Sequence, residues 1–271
     1  MPAIDLDHLR TRIKLIKDQF SQPSEFVSRL RELYAFYADR TLPLSSYHAE
    51  LHALPAFNTP RLLNRSLEDA FTAYCAGQPT QLMEIIDLLW QQPETEMRQL
   101  AAVLLGRLPI TEKETVISRI IAWSSNPKDA LLLPYLHEHG SATIRRFDPG
   151  AWLNVLELWK NSKEVWQIKL SILGITTLID DRNYANLPAA YTFLLPLFLD
   201  LDADLQHDLR LVLEHLVNRS EVETVYFLKQ LIADSRNPSL GRFLRRSIDL
   251  FSPEMQDSLR KALRQHDEGS K

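Results

Sequence analysis

Residues 124–136, SSNPKDALLLPYL, contain the carboxylate on which a catalytic interpretation of the chain depends. Asp129 could position a water or stabilise positive charge that develops in a transition state. It could also belong to a helix start. Ser125 or Asn126 is a favourable N-cap, Pro127 suits the first turn, and a carboxylate there meets free amides and the helix dipole. The residue types favour the helix start, and Asp129 stays a weak catalytic candidate.

A second group of residues could bind phosphate. In RNPSLGRFLRR, residues 236–246, Arg242 lies three residues from Arg245 and four from Arg246. At this spacing part of the cluster shares one helical face, where it could bind a nucleic-acid backbone. Acidic residues nearby, such as Asp249, favour a solvated outer face instead. Both interpretations stay open.

Smaller candidates lie in the middle of the chain. Arg145 and Arg146, in SATIRRFDPG, could bind phosphate, and pairing with nearby acids is an equal alternative. Trp152 and Trp166 could line a binding face, although tryptophans on apolar stripes are usually core residues.

The composition predicts a folded protein without a membrane segment. The 271 residues are 45% hydrophobic and 24% charged. No apolar run reaches 18 residues, and charged residues interrupt the N-terminal segment where a signal peptide would need an apolar core. We therefore expect a cytoplasmic protein with no membrane partner. The net charge of −4 argues against coating nucleic acid through bulk positive charge.

No metal or cofactor is predicted. Cys75 is the one cysteine, and His137 and His139 are two residues apart, which puts them on different faces of a helix. The sequence has no phosphate-binding glycine loop and no dinucleotide fingerprint.

The elements that carry these residues are predicted to be nearly all α-helical. Only 7 glycines are present, and apolar residues recur at three and four spacing, as in residues 82–90 and 97–108. Helix pairs repeat roughly every 35 to 40 residues, which is typical of HEAT-like repeats stacked into a superhelical solenoid. The predicted helices span 5–20, 24–39, 79–92, 94–108, 111–124, 127–139, 149–161, 163–179, 187–200, 203–218, 221–234, 238–250 and 253–265.

The predicted organisation is one continuous structural domain. It has an N-terminal helical cap at 1–56, a HEAT-like array at 57–266 and a frayed tail at 267–271.

Two motifs carry a family resemblance. FNTPRLL (57–63) contains a Thr-Pro-x-Arg helix start, and LLWQQPETEMRQLAAVLL (88–105) contains a Leu-Trp-x-x-Pro-x-x-Glu helix pair followed by two alanines. The chain resembles the bacterial DNA alkylation-repair HEAT family, the AlkD-like alkylpurine DNA glycosylases, over about residues 25–265. The matching positions are Thr59, Pro60, Arg61, Leu89, Trp90, Pro93, Glu96, Ala101 and Ala102.

The resemblance implies a concave basic cleft that holds duplex DNA and excises a cationic alkylated base. A carboxylate and tryptophans would face the lesion. The family's carboxylate stands in a Trp-Trp-Asp-x-Val-Asp run before a proline. Counted back from Pro134, its position here is Ala130, and the tryptophan pair falls on Ser125 and Asn126. Asp129 could replace the carboxylate only with a register shift of one residue, about 100° around a helix.

Later family positions also differ. Lys169 stands where the family has an arginine, which keeps the charge and loses bidentate phosphate geometry. Leu211 takes the place of a tryptophan and Glu214 that of an arginine, and a glutamate would repel phosphate.

The leading functional hypothesis is a DNA-binding HEAT-repeat protein that binds damaged or branched DNA without standard base excision. The first alternative is a protein-interaction scaffold whose partner is another protein. The second is an active DNA glycosylase that excises cationic alkylated purines with Asp129.

Overall fold

The fold is all-α. A computed structural model describes residues 5–39, 55–235 and 237–269, without the side chains of 127–129 and 266–269. Within these residues no β-strand occurs, which confirms the predicted fold class. No helix of this described part is both long and apolar enough to cross a membrane. The α-helices are α1 Leu6–Lys17, α2 Pro23–Tyr37, α3 Arg61–Gly77, α4 Pro79–Trp90, α5 Thr95–Leu105, α6 Lys113–Trp123, α7 Leu133–Tyr135, α8 Ala142–Phe147, α9 Pro149–Lys160, α10 Val165–Ile179, α11 Leu187–Leu199, α12 Gln206–Asp234, α13 Pro238–Arg246 and α14 Pro253–Gly269.

The chain folds into two compact units, unit 1 (Met1–Asp148) and unit 2 (Pro149–Lys271). In each unit, helices that follow one another in sequence pack together, as α4 does with α5 and α9 with α10. The superhelical arrangement and the boundary between cap and array stay predictions. Residues 40–54 of the predicted cap lie outside the described residues.

The core of unit 1 follows the predicted apolar stripes. The stripe of α4 is completely buried, and α4 packs against α2 and α5. The stripe of α5 is buried as well, and α5 also contacts α3. The buried stripe residues are Leu82, Ile85, Ile86, Leu89, Met97, Leu100, Ala101 and Leu104.

The family motif residue Glu96 holds the start of α3. Its carboxylate accepts backbone N–H bonds from Phe57 at 3.0 Å, Asn58 at 2.6 Å and Thr59 at 3.4 Å. Asn58 adopts the left-handed region, with φ 55°. Asparagine tolerates this conformation better than most residues. The two motifs are therefore in contact, and the Glu96 carboxylate fixes the backbone of residues 57–59 just before α3.

The prediction of one continuous helix at 127–139 is wrong. The segment is a 3₁₀ helix at Pro127–Leu132, then α7, then a π-helical turn at Leu136–Gly140. Pro134 lacks an N–H and cannot continue a regular α-helical ladder. The turn also lies against α5, where a β-carbon on Gly106 would be 1.7 Å from the His139 carbonyl oxygen.

Unit 2 is built around α10, which packs against α9, α11 and α12. The helices predicted at 203–218 and 221–234 are both present as the two segments of α12, which are separated at Ser220, where the backbone is not helical (φ −159°, ψ 93°). A 3₁₀ turn at Ile248–Leu250 follows α13.

Candidate nucleic-acid interface

The short helix α13 presents the predicted arginine cluster. Asn237 caps the helix, since its side chain accepts the N–H of Ser239 at 2.9 Å. The same side chain donates to the Leu199 carbonyl at 3.1 Å, which fixes α13 to the end of α11. One face of α13 is buried and the other exposes the three arginines. The buried residues are Leu240, Phe243 and Leu244, and the exposed ones are Arg242, Arg245 and Arg246.

Two of these arginines line one small cavity. Arg242 and Arg246 surround a space of about 220 Å³ with Gln206, Ser239 and Phe243. The Arg242 guanidinium donates to the Ser239 hydroxyl at 3.1 Å. Within the described residues neither guanidinium forms an ion pair with a carboxylate. Their N–H groups can therefore donate to a phosphate oxygen without breaking a salt bridge.

Arg245 is arranged differently, because its side chain folds back along its own helix. A β-carbon added to Gly241 would lie 3.2 Å from Arg245 Nη1. The glycine leaves room for this close approach. The predicted cluster is thus a pair of arginines at one cavity, with a third beside it.

Lys169 reaches the first turn of α12 from α10. Its ammonium lies 3.5 Å from Oδ2 of Asp208, and that oxygen accepts no hydrogen bond among the described residues. The two charges thus form a long ion pair. Gln206, in the same turn of α12, lines the arginine cavity. Lys169 and the arginine cavity therefore both contact the first turn of α12.

The two candidate tryptophans occupy different environments. Trp166 is half-buried on α10, one turn before Lys169. Trp152 is fully buried in unit 2, and its Nε1 donates to the Gly174 carbonyl at 3.2 Å. A β-carbon on Gly174 would be 3.3 Å from the Trp152 ring. Trp152 is a core residue in this structure, as the alternative interpretation predicts, and Trp166 is the more accessible of the two.

The exposed face of the first half of α12 is not basic. Leu211 is 43% exposed, and Glu214 is exposed on the same helix. His215 Nδ1 lies 2.7 Å from Asp180 Oδ1, and Arg210 forms a 2.7 Å ion pair with Asp249. The exposed face of this half of α12 therefore offers little positive charge to a phosphate.

Arg145 and Arg146 lie on α8 in unit 1 and point to different surroundings. Arg145 is half-buried, and it donates to the Ser141 hydroxyl at 2.9 Å and to the Glu138 carbonyl. Arg146 is exposed, with its guanidinium carbon 5.1 Å from the ring centre of Phe147. Arg146 is thus the more accessible of the two.

The backbone of Asp129 lies in the 3₁₀ helix Pro127–Leu132, so the prediction of a helix near this residue holds, although not as an α-helix. Its side chain lies outside the described residues. Ser125 donates to the Ile121 carbonyl at 2.8 Å, which ties it to the preceding helix α6. The catalytic role of Asp129 stays a prediction.

Unit 1 contains a polar cluster that no motif in the sequence indicates. Burial raises the pKa of Glu68, whose carboxylate lies 3.6 Å from the Arg107 guanidinium. Burial, and then the charge of Glu68, raise the pKa of Tyr135 to about 12. The His139 ring packs 4.1 Å from that of Tyr135, and burial lowers the pKa of His139. A carboxyl group with a raised pKa is better suited to hold a proton than an ordinary glutamate.

The cluster unites residues from three separate stretches of the chain, around Glu68, Arg107 and residues 135–139. Each of these residues alone resembles an ordinary polar surface residue, which is why spacing along the sequence does not reveal them.

Comparison with known proteins shows a family match. A family model described as DNA alkylation repair enzyme matches residues 43–227, more than half of the chain. No curated protein and no solved structure matches the chain. The family match covers α3 to α11 and most of α12, and so includes Lys169 and both motifs that carry the resemblance. The chain therefore belongs to the DNA alkylation repair enzyme family.

Proposed function

We propose that this family member binds DNA, damaged or branched, through unit 2 and does not excise a base by the family's usual chemistry. The observation that carries the proposal is the α13 cavity. There Arg242 and Arg246 are exposed, close together and, among the described residues, without a carboxylate partner. Exposed guanidiniums bind phosphate in a bidentate manner.

Contacts of this kind position a duplex without reading its sequence. Lys169 adds positive charge near the same turn of α12, although its ion pair with Asp208 reduces what it offers to phosphate. The half-buried ring of Trp166 lies one turn away on α10 and could stack on an exposed base. Branched or damaged DNA exposes such bases more readily than intact duplex.

The absence of excision is proposed from the resemblance to the AlkD-like glycosylases. Ala130 stands at the position of their carboxylate, and an alanine can neither stabilise a cationic sugar nor position a water. Leu211 stands at a tryptophan position and its aliphatic side chain is exposed. Glu214, at an arginine position, adds negative charge to the same helix.

The proposal is tested by binding of labelled duplex and branched DNA at about 50 and about 200 mM salt, since phosphate contacts weaken steeply over this range. Arg242→Ala with Arg246→Ala should weaken binding to every DNA. The matched control is Arg10→Ala with Arg29→Ala, which removes two exposed arginines that are paired with acids in unit 1. Equal loss in both double variants would contradict an interface on α13.

A second assay tests the absence of excision. Duplex containing a methylated purine is incubated with the protein, and released base is measured. No release is expected. Release that disappears with Asp129→Asn would overturn this part of the proposal and establish the catalytic alternative.

A further inference from the structure

A second surface of unit 2 has a composition that DNA binding does not explain. Helix α11 and residues 221–234 of α12 enclose a groove of about 590 Å³. Buried Tyr191 and Phe227 contribute to its floor, and the Tyr191 hydroxyl is 3.0 Å from the buried Thr224 hydroxyl. The walls of the groove are therefore held by internal contacts.

The rim of the groove exposes large apolar side chains. Leu195 is 38% exposed, Val222 66% and Tyr226 65%. Helix α11, LPAAYTFLLPLFL, contains no charged residue on any face. An exposed apolar patch of this kind commonly marks a contact with another macromolecule. The uncharged face makes a nucleic-acid backbone an unsuitable occupant, because nothing on α11 could neutralise phosphates.

The exposed residues between 222 and 230 are arranged symmetrically about Tyr226. Glu223 lies three residues before it and Lys229 three after, and Val222 lies four before it and Gln230 four after. All five are exposed. Within the described residues neither Glu223 nor Lys229 forms an ion pair.

This order is self-complementary for two antiparallel copies of the helix. A two-fold axis at Tyr226 would bring Glu223 of one copy to the same height as Lys229 of the other. The symmetry repeats this pairing, so one contact contains two opposite-charge pairs around a central tyrosine. A two-fold contact requires this property, because the same patch must fit itself.

We propose that a second copy of this chain docks on this face, with residues 221–234 of the two copies antiparallel about Tyr226. The exposed side chains of α11 pack beside them, so that the two helices of each copy form a four-helix contact. Burial of Leu195, Val222 and Tyr226 drives the association, and the Glu223 and Lys229 pairs set its register. The proposal does not depend on DNA binding.

The test is sedimentation velocity of the full chain over a concentration series, without DNA. We expect a mass that rises from one chain to two. E223K and K229E each replace two attractive pairs with two repulsive ones, which should weaken dimerisation roughly tenfold. An equimolar mixture of the two variants should associate as the native protein does, because only the mixed dimer restores both pairs.

One-chain mass at every concentration would overturn the proposal. Dimerisation that neither variant weakens, or that mixing does not restore, would overturn it as well. The double variant E223K with K229E exchanges the two charges within one chain, so it should also dimerise. Misfolded chains would not regain association in the mixture or in the double variant, so both experiments separate loss of contact from loss of folding.

A cross-linking experiment tests the position of the axis. Y226C should give a disulfide-linked dimer under mild oxidation, since the two thiols would meet on the axis. L158C, at an exposed position on α9, is the matched control and should cross-link far less. Native Cys75 does not interfere, because it is buried and burial raises the pKa of its thiol to about 11. Equal cross-linking of both variants would contradict the axis at Tyr226.

Discussion

The clearest prediction about stability concerns the buried imidazole of His137. It is fully buried in the π-helical turn, with Nε2 3.2 Å from the Ser124 hydroxyl. Burial, and then repulsion from Arg145, lower the pKa of His137 to about 3. The perturbation is His137→Gln, which keeps a polar group that can bond to Ser124 and removes the titration.

The size of the change in unfolding free energy with pH follows from proton linkage. In the unfolded chain the pKa of histidine is about 6.5, so below that pH the unfolded state binds a proton that the folded state does not. A lowered folded-state pKa gives stability that is complete above pH 6.5 and is lost as the pH falls towards 3. At about 1.4 kcal/mol per pH unit, the loss between pH 7 and pH 5 is about 2 kcal/mol.

The assay is urea unfolding at pH 7, 6 and 5, followed by hydrogen exchange of peptides from unit 1. Hydrogen exchange of these peptides distinguishes the unfolding of unit 1 from that of unit 2. The native protein should lose about 2 kcal/mol relative to the His137→Gln variant over this range. Other titrating groups are present in both proteins and cancel in the difference. A difference that does not change with pH would refute the burial argument.

Three further predictions concern single positions. Glu96→Gln should destabilise unit 1 by about 2 kcal/mol, because a charged acceptor of the N–H groups at 57–59 becomes a neutral one; an unchanged urea midpoint would contradict this. Gly106→Ala should cost about 3 kcal/mol, since its β-carbon would overlap the His139 carbonyl, and thermal unfolding measures the loss. A native melting temperature would show that the turn moves freely. Asp129→Asn should leave DNA binding unchanged in a fluorescence anisotropy titration, and a loss of tenfold or more would indicate a direct role.

Local pattern was enough to predict most of the helices. The stripe with Leu82 and Leu89 is predicted by spacing alone and is buried, because the side that an amphipathic helix turns inward depends on its own sequence. The break at 127–139 has a local cause in Pro134, but the π-helical turn also lies against Gly106, which is far from it in sequence. No periodicity within the segment contains that information.

The candidate site was predicted less completely for the same reason. The arginines of α13 were found because they are neighbours in sequence. That Arg242 and Arg246 share a cavity with Gln206 depends on how α13 packs against α12. Trp152 and Trp166 both lie on apolar stripes, so spacing could not tell the core residue from the half-buried one. Tertiary packing decides both.

The most direct test of DNA binding through α13 is the salt dependence of affinity for the native protein and for the Arg242→Ala, Arg246→Ala double variant. Each phosphate contact contributes about 0.9 to the slope of log affinity against log salt, so loss of two contacts should reduce the slope by about 1.8. The account predicts this reduction, while the Arg10→Ala, Arg29→Ala control keeps the native slope. An unchanged slope in the α13 variant, with native folding, would contradict it.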